Sequence, residues 1–483
     1  MKKTLLTLLI ALLTVALQAQ NPSHPMLAAT RDIQSAELMA IVEELAADKY
    51  EGRLTGSPGY DLAAGYVADY FEDLGLQKSY GEDGYYQFFD CPYTLVLPDC
   101  SLVLHERDGD VNYRYYDEFM PGSTSASGKL TAEVVFAGYG ISAPELGYDD
   151  YAGIDVRGKI VLIRPEAPVS PSIGEKEFLP WLNFSTHQYK MQNALNHGVA
   201  GILYHYGPLA NTNNEYHEGL LLTMVGAKAV EDLFAGSGKE YQKVVDGIHA
   251  DLKPASMSLG KKVSIENSTI HYPDAIGMNV IGILPGSDPE LKDEAIIIGG
   301  HLDHCGKCWE VCPGANDNAS GIAVMLGVAK AMVKSGLKFK RTIIFMGIGG
   351  EESGLLGAKK YISDPLWPSA KTVGMLNLDS VGVGPNLAVS GGKSIPALFT
   401  AIERANNLFV HRVLSASELN LAGRPRTDAA VFNRAGIPAL SFSSYGGHGA
   451  YHTPADAPDL IWPETLEDLA TLLTIAVAEL ADE

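Results

Sequence analysis

The apolar residues fall into three textures along the chain. From Thr30 to Leu76 they recur at helical spacing in two blocks, Ile33 to Ala46 and Leu62 to Leu74, parted by the turn-rich stretch EGRLTGSPG. That spacing predicts two amphipathic helices joined by an irregular loop. Between about Gly122 and Pro254, short β-rich runs (AEVVFAGYGI, GKIVLIR, GILYHY) alternate with Gly, Pro and Asp turns, with one helical stretch from Gln188 to His197. A compact β-rich unit is expected there. From Met278 onward strands and helices alternate: NVIGIL, EAIIIGG, a helix from about Asn318 to Lys334, RTIIFMGI, a helix from about Gly354 to Ile362, then TVGMLNLD. A helix near Asp428 to Ala435, the strand IPALSFSS and a terminal helix from about Pro463 complete the series. Such alternation predicts an α/β sandwich with a largely parallel sheet. The two leading helices have no sheet of their own to cover. The simplest architecture is therefore one α/β domain, residues 20–118 and 258–483, interrupted by a β-rich insert at 119–257.

Residues 1–19 have a different character. Lys2 and Lys3 precede an apolar run from Leu5 to Leu17, with the small Ala19 at a cleavable position, the pattern of a secretory signal. The run is shorter than the ~20 apolar residues a membrane span requires, and no later segment is long enough. A mature chain outside the cytoplasm, secreted or periplasmic and without stable membrane insertion, is the expectation. With 46% hydrophobic and 19% charged residues over 483 positions, the composition excludes a disordered chain. A formal charge of −22 argues against a partner bound through phosphates, so no nucleic acid is expected.

In open α/β sheets, binding sites gather at the carboxyl ends of the strands. Here those ends carry the chain's acidic and imidazole groups. IIIGGHLDH runs into His301, Asp303 and His304, and PGANDNASG sets Asp317 at the start of a helix. TIIFMGIGG runs into Glu351 and Glu352, NLDSVG ends on Asp379, and AYHTPAD puts His452 in a late loop. Such groups are costly to bury unless something positive holds them together, and a metal would do so. Imidazole nitrogen and carboxylate oxygen suit zinc. Five ligand candidates among these residues exceed one open tetrahedral site and suit two ions sharing a carboxylate. Neighbouring side chains leaving a strand point in different directions, so one of Glu351 and Glu352 can bind metal while the other takes a proton from water.

The motifs HLDH, GANDNASG, EESGLLGAKKY, NLDSVG and YHTPAD stand in the order and spacing of a known family. The chain resembles the family 28 co-catalytic-zinc exopeptidases, secreted aminopeptidases and their relatives, in the form with an inserted protease-associated domain. FAGYGISAPELGYDDYAGIDVRGKIVLI resembles that insert. The resemblance implies a zinc exopeptidase α/β/α sandwich and two zinc ions per chain. It implies that Asp317 bridges them, that His301 and Asp379 complete one, and that Glu352 and His452 complete the other. Glu351 becomes the general base, and Asp303 accepts from the ring of His301, fixing its tautomer. Tyr451 is implied as a donor to the tetrahedral oxyanion, with packing as its alternative, and Asp428 as a residue close to the substrate, with a helix cap as its alternative. A cis peptide between Asp317 and Asn318 is implied as well. Ala429 stands where many relatives have histidine, a departure at the substrate edge.

A secreted di-zinc aminopeptidase acting on peptides is the expected function. A carboxypeptidase of the same family would need cationic anchors, for which Arg424 and Arg426 are the nearby residues. A glutaminyl cyclase-like transferase and a non-catalytic binding protein are further alternatives. Three of the five cysteines, Cys305, Cys308 and Cys312, fall between His301 and Asp317. A turn brings Cys308 and Cys312 within reach of a disulfide, the pairing expected here. Free thiols, and a structural zinc held by these cysteines with His304, are the alternatives.

Overall fold

The run AIIIGGH is apolar at consecutive positions, so a strand built from it needs cover on both faces. The computed structural model describes residues 25–79, 84–421 and 423–483, and the leader read at 1–19 lies outside the described residues. The strand Ala295–His301 is fully buried at the centre of a nine-stranded sheet. It pairs in parallel with Thr342–Ile348 on one side and Thr372–Leu378 on the other, and the latter pairs in parallel with Ala439–Tyr445. Antiparallel strands flank this parallel core: Ile276–Leu284 beside Thr342–Ile348, and Asn386–Ser390 beside Ala439–Tyr445.

Side chains alternate between two apolar layers. Ile296 and Ile298 join a layer with the helices Ser35–Leu45, Pro58–Leu74, Ser320–Lys334, Pro396–Ala405 and Pro463–Asp482. Ile297 and Met346 face the helices Leu356–Ser363 and Asp428–Arg434 through Ala358, Tyr361, Ala429 and Phe432. The result is the α/β/α sandwich expected from the alternation. The second helix starts four residues earlier than its apolar block, because Ser57 accepts from Tyr60 N–H and Pro58 takes the first turn. Among the described residues no helix is long and apolar enough to cross a membrane.

A second sheet of eight strands carries the middle of the chain. Its parallel centre is Gly128–Phe136, Ile160–Ile163, Gly201–Tyr204 and Leu221–Val225. It reaches beyond 119–257 in both directions, because Ser101–His105 and Met257–Asn267 pair antiparallel along its edge. It is also less purely β than its sequence texture suggests. Besides His187–Asn196, the helices Ala227–Phe234 and Tyr241–Asp251 cover its other face through Val230, Leu233, Phe234 and Ile248. Short length and interruption by the Gly236 to Gly238 turn hid those two helices from the periodicity.

The EGRLTGSPG loop is a platform rather than a linker. Gly52 has φ +70°, and a Cβ there would lie 2.4 Å from the Gly306 carbonyl, so glycine is required. The turn pairs through main-chain bonds from Gly306 N–H to Gly52 O and from His304 N–H to Arg53 O. Arg53, fully buried, donates to four carbonyls: Leu302 (2.9 Å), Leu45 (2.6 Å), Pro313 (2.7 Å) and Gly314 (2.8 Å). Burial lowers its pKa to about 10, so it stays a cation at neutral pH. Thr55 Oγ1 accepts from Gly350 N–H. One short loop thereby fixes the segments that follow two central strands.

The disulfide expected between Cys308 and Cys312 is not made, and all five cysteines are buried free thiols. Cys308 sits in a tight hairpin, Lys307–Cys308 against Glu310–Val311, which turns its sulfur toward the Pro121 carbonyl at 3.3 Å.

Removing the guanidinium strands four carbonyls at once. Arg53→Met is expected to lower the unfolding free energy by about 3 kcal/mol, since bonds from a charged donor contribute about 1.5–3 kcal/mol. Urea unfolding of the full chain measures it, and a loss below about 0.5 kcal/mol, the range of an ordinary surface substitution, contradicts the role.

Candidate metal centre

Most donors of the centre sit where a strand of the large sheet ends. His301 closes Ala295–His301, Asp379 follows Thr372–Leu378, and Glu351 and Glu352 follow Thr342–Ile348. Asp317 lies in the irregular turn before Ser320–Lys334, and His452 lies in the loop after Ala439–Tyr445. The fold brings all five expected ligands together. His301 Nε2 is 3.1 Å from Asp317 Oδ1 and 3.7 Å from Asp379 Oδ1. His452 Nε2 is 3.4 Å from Asp317 Oδ2 and 3.0 Å from Glu352 Oε2. Asp317 therefore turns one oxygen to each histidine.

The other nitrogen of each ring is committed to a carbonyl, which can only accept. His301 Nδ1 donates to Asp303 O at 3.1 Å, and His452 Nδ1 donates to Ala210 O at 2.9 Å. In the neutral imidazole this leaves Nε2 as a lone pair in both rings. Against the cost of burial, the facing acidic groups push both rings' pKa well up, so each Nε2 calls for a proton or a metal cation. The donor set, imidazole nitrogen with carboxylate oxygen, fits zinc at both places. One donor group is His301, Asp317 and Asp379; another is His304, Cys305, Glu352 and His452.

Asp303 works differently from expectation. Its carboxylate lies 3.8 Å from the His301 ring, which donates instead to the Asp303 main-chain carbonyl. The carboxylate oxygens accept from Glu351 N–H (3.2 Å) and Glu352 N–H (3.3 Å), because the chain after Gly350 folds directly over them. Asp303 thus orients the two glutamates. Asp456 does the same around Asp317, accepting from Asn316 N–H and Asp317 N–H, each at 3.0 Å. The Asp317–Asn318 peptide is cis. Asn318 Nδ2 donates to the carbonyls of His301 (3.2 Å) and Leu378 (2.7 Å), tying two ligand-bearing strands together.

Glu351 belongs to a group with His301 and Glu352. Burial pushes its carboxyl well above the ordinary range, against the pull of His301 and with Glu352, Asp428 and Asp379 adding to the rise. Asp428 begins the helix Asp428–Arg434, but the cap position belongs to Thr427. Neither of its carboxylate oxygens has a hydrogen-bond partner among the described residues, and burial raises its pKa to about 8. Tyr451 stacks on His452, ring centroids 3.6 Å apart, and stays 58% exposed. Both rings line a cavity of about 140 Å³ with Glu351, Glu352, Arg424 and, from the second-sheet unit, Tyr206 and Asn213. Arg424 and Arg426 are not simply solvated: both pair with Glu166, at 3.0 and 2.8 Å.

Several contributors escape a reading of side-chain motifs. The loop after Gly201–Tyr204 supports the centre through Ala210 O on His452 and through Thr212 Oγ1, which donates to Glu352 O at 2.7 Å. A main-chain carbonyl leaves no signature in sequence. Arg53 and Asp456 do lie inside recognisable motifs, EGRLTGSPG and YHTPAD, which could have flagged them.

The profile of Peptidase family M28 matches residues 279–477. Leupeptin-inactivating enzyme 1 of Streptomyces exfoliatus is 34% identical over 194 residues, covering 40% of this chain and 40% of its own length. A probable glutamate carboxypeptidase of Arthroderma benhamiae is 30% identical over 209 residues, covering 39% of this chain and 27% of its own. The chain thus spans less than half the length of these two relatives. Among solved structures, BSAP, a zinc aminopeptidase from Bacillus subtilis, shares the fold with a TM-score of 0.64 at 20% identity, over 93% of this chain and 96% of that one. Residues 279–477, which carry all five expected ligands and Glu351, are the part of the chain that is similar to peptidase family M28.

Proposed function

We propose that the chain is a di-zinc aminopeptidase that removes the N-terminal residue of peptides. The observation that carries this reading is the pair of imidazole Nε2 atoms turned to opposite oxygens of Asp317, with Glu351 grouped beside His301 and Glu352. His301, Asp317 and Asp379 would hold one ion, and Asp317, Glu352 and His452 the other. Bound there, zinc polarises a peptide carbonyl and lowers the pKa of water in the site. Glu351 then takes the proton of the attacking water and passes it to the leaving amine. Asp303, gripping the N–H groups of Glu351 and Glu352, keeps the base from drifting. Tyr451 is assigned as oxyanion donor, supported by its place on the rim beside His452. Asp428 is assigned to the substrate edge, supported by its unpartnered carboxylate.

An α-ammonium suits a wall rich in carboxylates, whereas a substrate carboxylate needs a cation that is not already spent. Glu166 accepts from both Arg424 and Arg426, which favours the aminopeptidase over the carboxypeptidase. The unit around the second sheet is read as a protease-associated domain, and the leader at residues 1–19 supports export.

Turnover of aminoacyl and N-blocked peptides by the full chain, with and without a chelator, tests the reading. Cleavage of the free-amine series alone, abolished by the chelator and restored by zinc, is expected; equal cleavage of the N-blocked series contradicts it. Glu351→Gln is expected to keep its metal and lose about 10²–10⁴-fold in rate, the usual loss when a general base is removed. Near-normal turnover in that variant removes Glu351 from the role. Asp317→Ala is expected to lower zinc occupancy at both positions, measured by elemental analysis after dialysis, and two retained ions contradict the shared bridge.

A further inference from the structure

The residue after His304 offers a donor that the assignment above leaves unused. Cys305 is 1% exposed, and a single donor atom from each of His304, Cys305, Glu352 and His452 fits within 4.8 Å of all the others. Its sulfur makes a long contact, 3.9 Å, to Ala210 O, the same oxygen that takes the His452 Nδ1 proton. The neighbouring thiols behave as small core hydrophobes. Cys308 turns to Pro121 O, and neither Cys308 nor Cys312 belongs to a donor group among the described residues. His304 Nδ1 lies 3.0 Å from Glu352 Oε1, holding the oxygen that does not face His452.

We propose that Cys305 is a thiolate ligand of the second metal position, beside Glu352 and His452. The inference rests on the di-metal reading. It divides the two positions by chemistry. The donor group around the second position includes a sulfur, whereas His301, Asp317 and Asp379 at the first offer only nitrogen and oxygen. Sulfur also makes the second position softer, so it holds zinc or cadmium in preference to manganese or magnesium. The thiol proton leaves to solvent as the metal enters, and no electrons change hands.

X-ray absorption at the zinc edge, on the full chain loaded with two zincs, reads the ligand directly. One sulfur shared over two zincs, at about 2.3 Å, is expected beside the shorter nitrogen and oxygen shells. Cobalt substitution supplies an independent readout: a near-ultraviolet sulfur-to-cobalt band present in the wild type and in Cys312→Ser, and lost in Cys305→Ser. Two bound zincs with nitrogen and oxygen alone overturn the proposal and leave the di-metal reading intact. A cobalt band that survives Cys305→Ser also overturns it, and a chain that binds no metal overturns both. Should Cys305→Ser fail to fold, the wild-type absorption spectrum decides by itself.

Discussion

Several carboxylates and two imidazoles share one buried volume, and the mutual repulsion of the carboxylates is the constraint around which the carboxyl edge of the sheet is built. Two like charges 4 Å apart repel by about 4 kcal/mol at an effective dielectric of 20, so a few such pairs rival the whole stability of a domain. The fold meets that cost by gripping the main chain around each donor. Asp303 takes the N–H groups of Glu351 and Glu352, Asp456 those of Asn316 and Asp317, and Arg53 the carbonyls that flank both loops. Arg53 also brings a buried positive charge toward Asp456, Asp303, Asp317 and Glu352. What remains uncompensated is the space between the two histidines and Asp317, and the proposed pair of divalent ions would complete the balance there.

The middle of the chain takes part in this arrangement. Ala210 sets the tautomer of His452, and Thr212 holds the Glu352 carbonyl, so the unit on the second sheet reaches into the centre. It also supplies Tyr206 and Asn213 to the cavity and Glu166 to the two arginines of the opposite loop. A displacement of this unit would therefore act on His452 and Glu352 as well as on the cavity they line, so the unit is part of the site's support.

The sequence makes the sheet and the ligands legible for the same reason. Apolar runs such as AIIIGGH and TIIFMGI can only be buried parallel strands, and the polar residues that break them mark where those strands end. His301, the Glu351–Glu352 pair and Asp379 are candidates from that break alone. The bonds that aim those ligands are less visible, since they join main-chain atoms far apart in the chain: Arg53 reaches Leu302, and His452 reaches Ala210. Asp303 illustrates the difference. Its position beside the histidine was readable, but its grip on Glu351 and Glu352 depends on how the chain after Gly350 crosses the loop. The thiols show the same limit, because a sulfur's partner is set by the hairpin at Lys307 to Val311 and not by the spacing of cysteines.

The account depends on cations occupying the gap between the two histidines. Anomalous diffraction at the zinc edge, from crystals of the full chain grown with zinc, tests this most directly. Two peaks are predicted, one among His301, Asp317 and Asp379 and one among Asp317, Glu352 and His452, with Asp317 contacting both. A single peak, or none within reach of Asp317, would contradict the account.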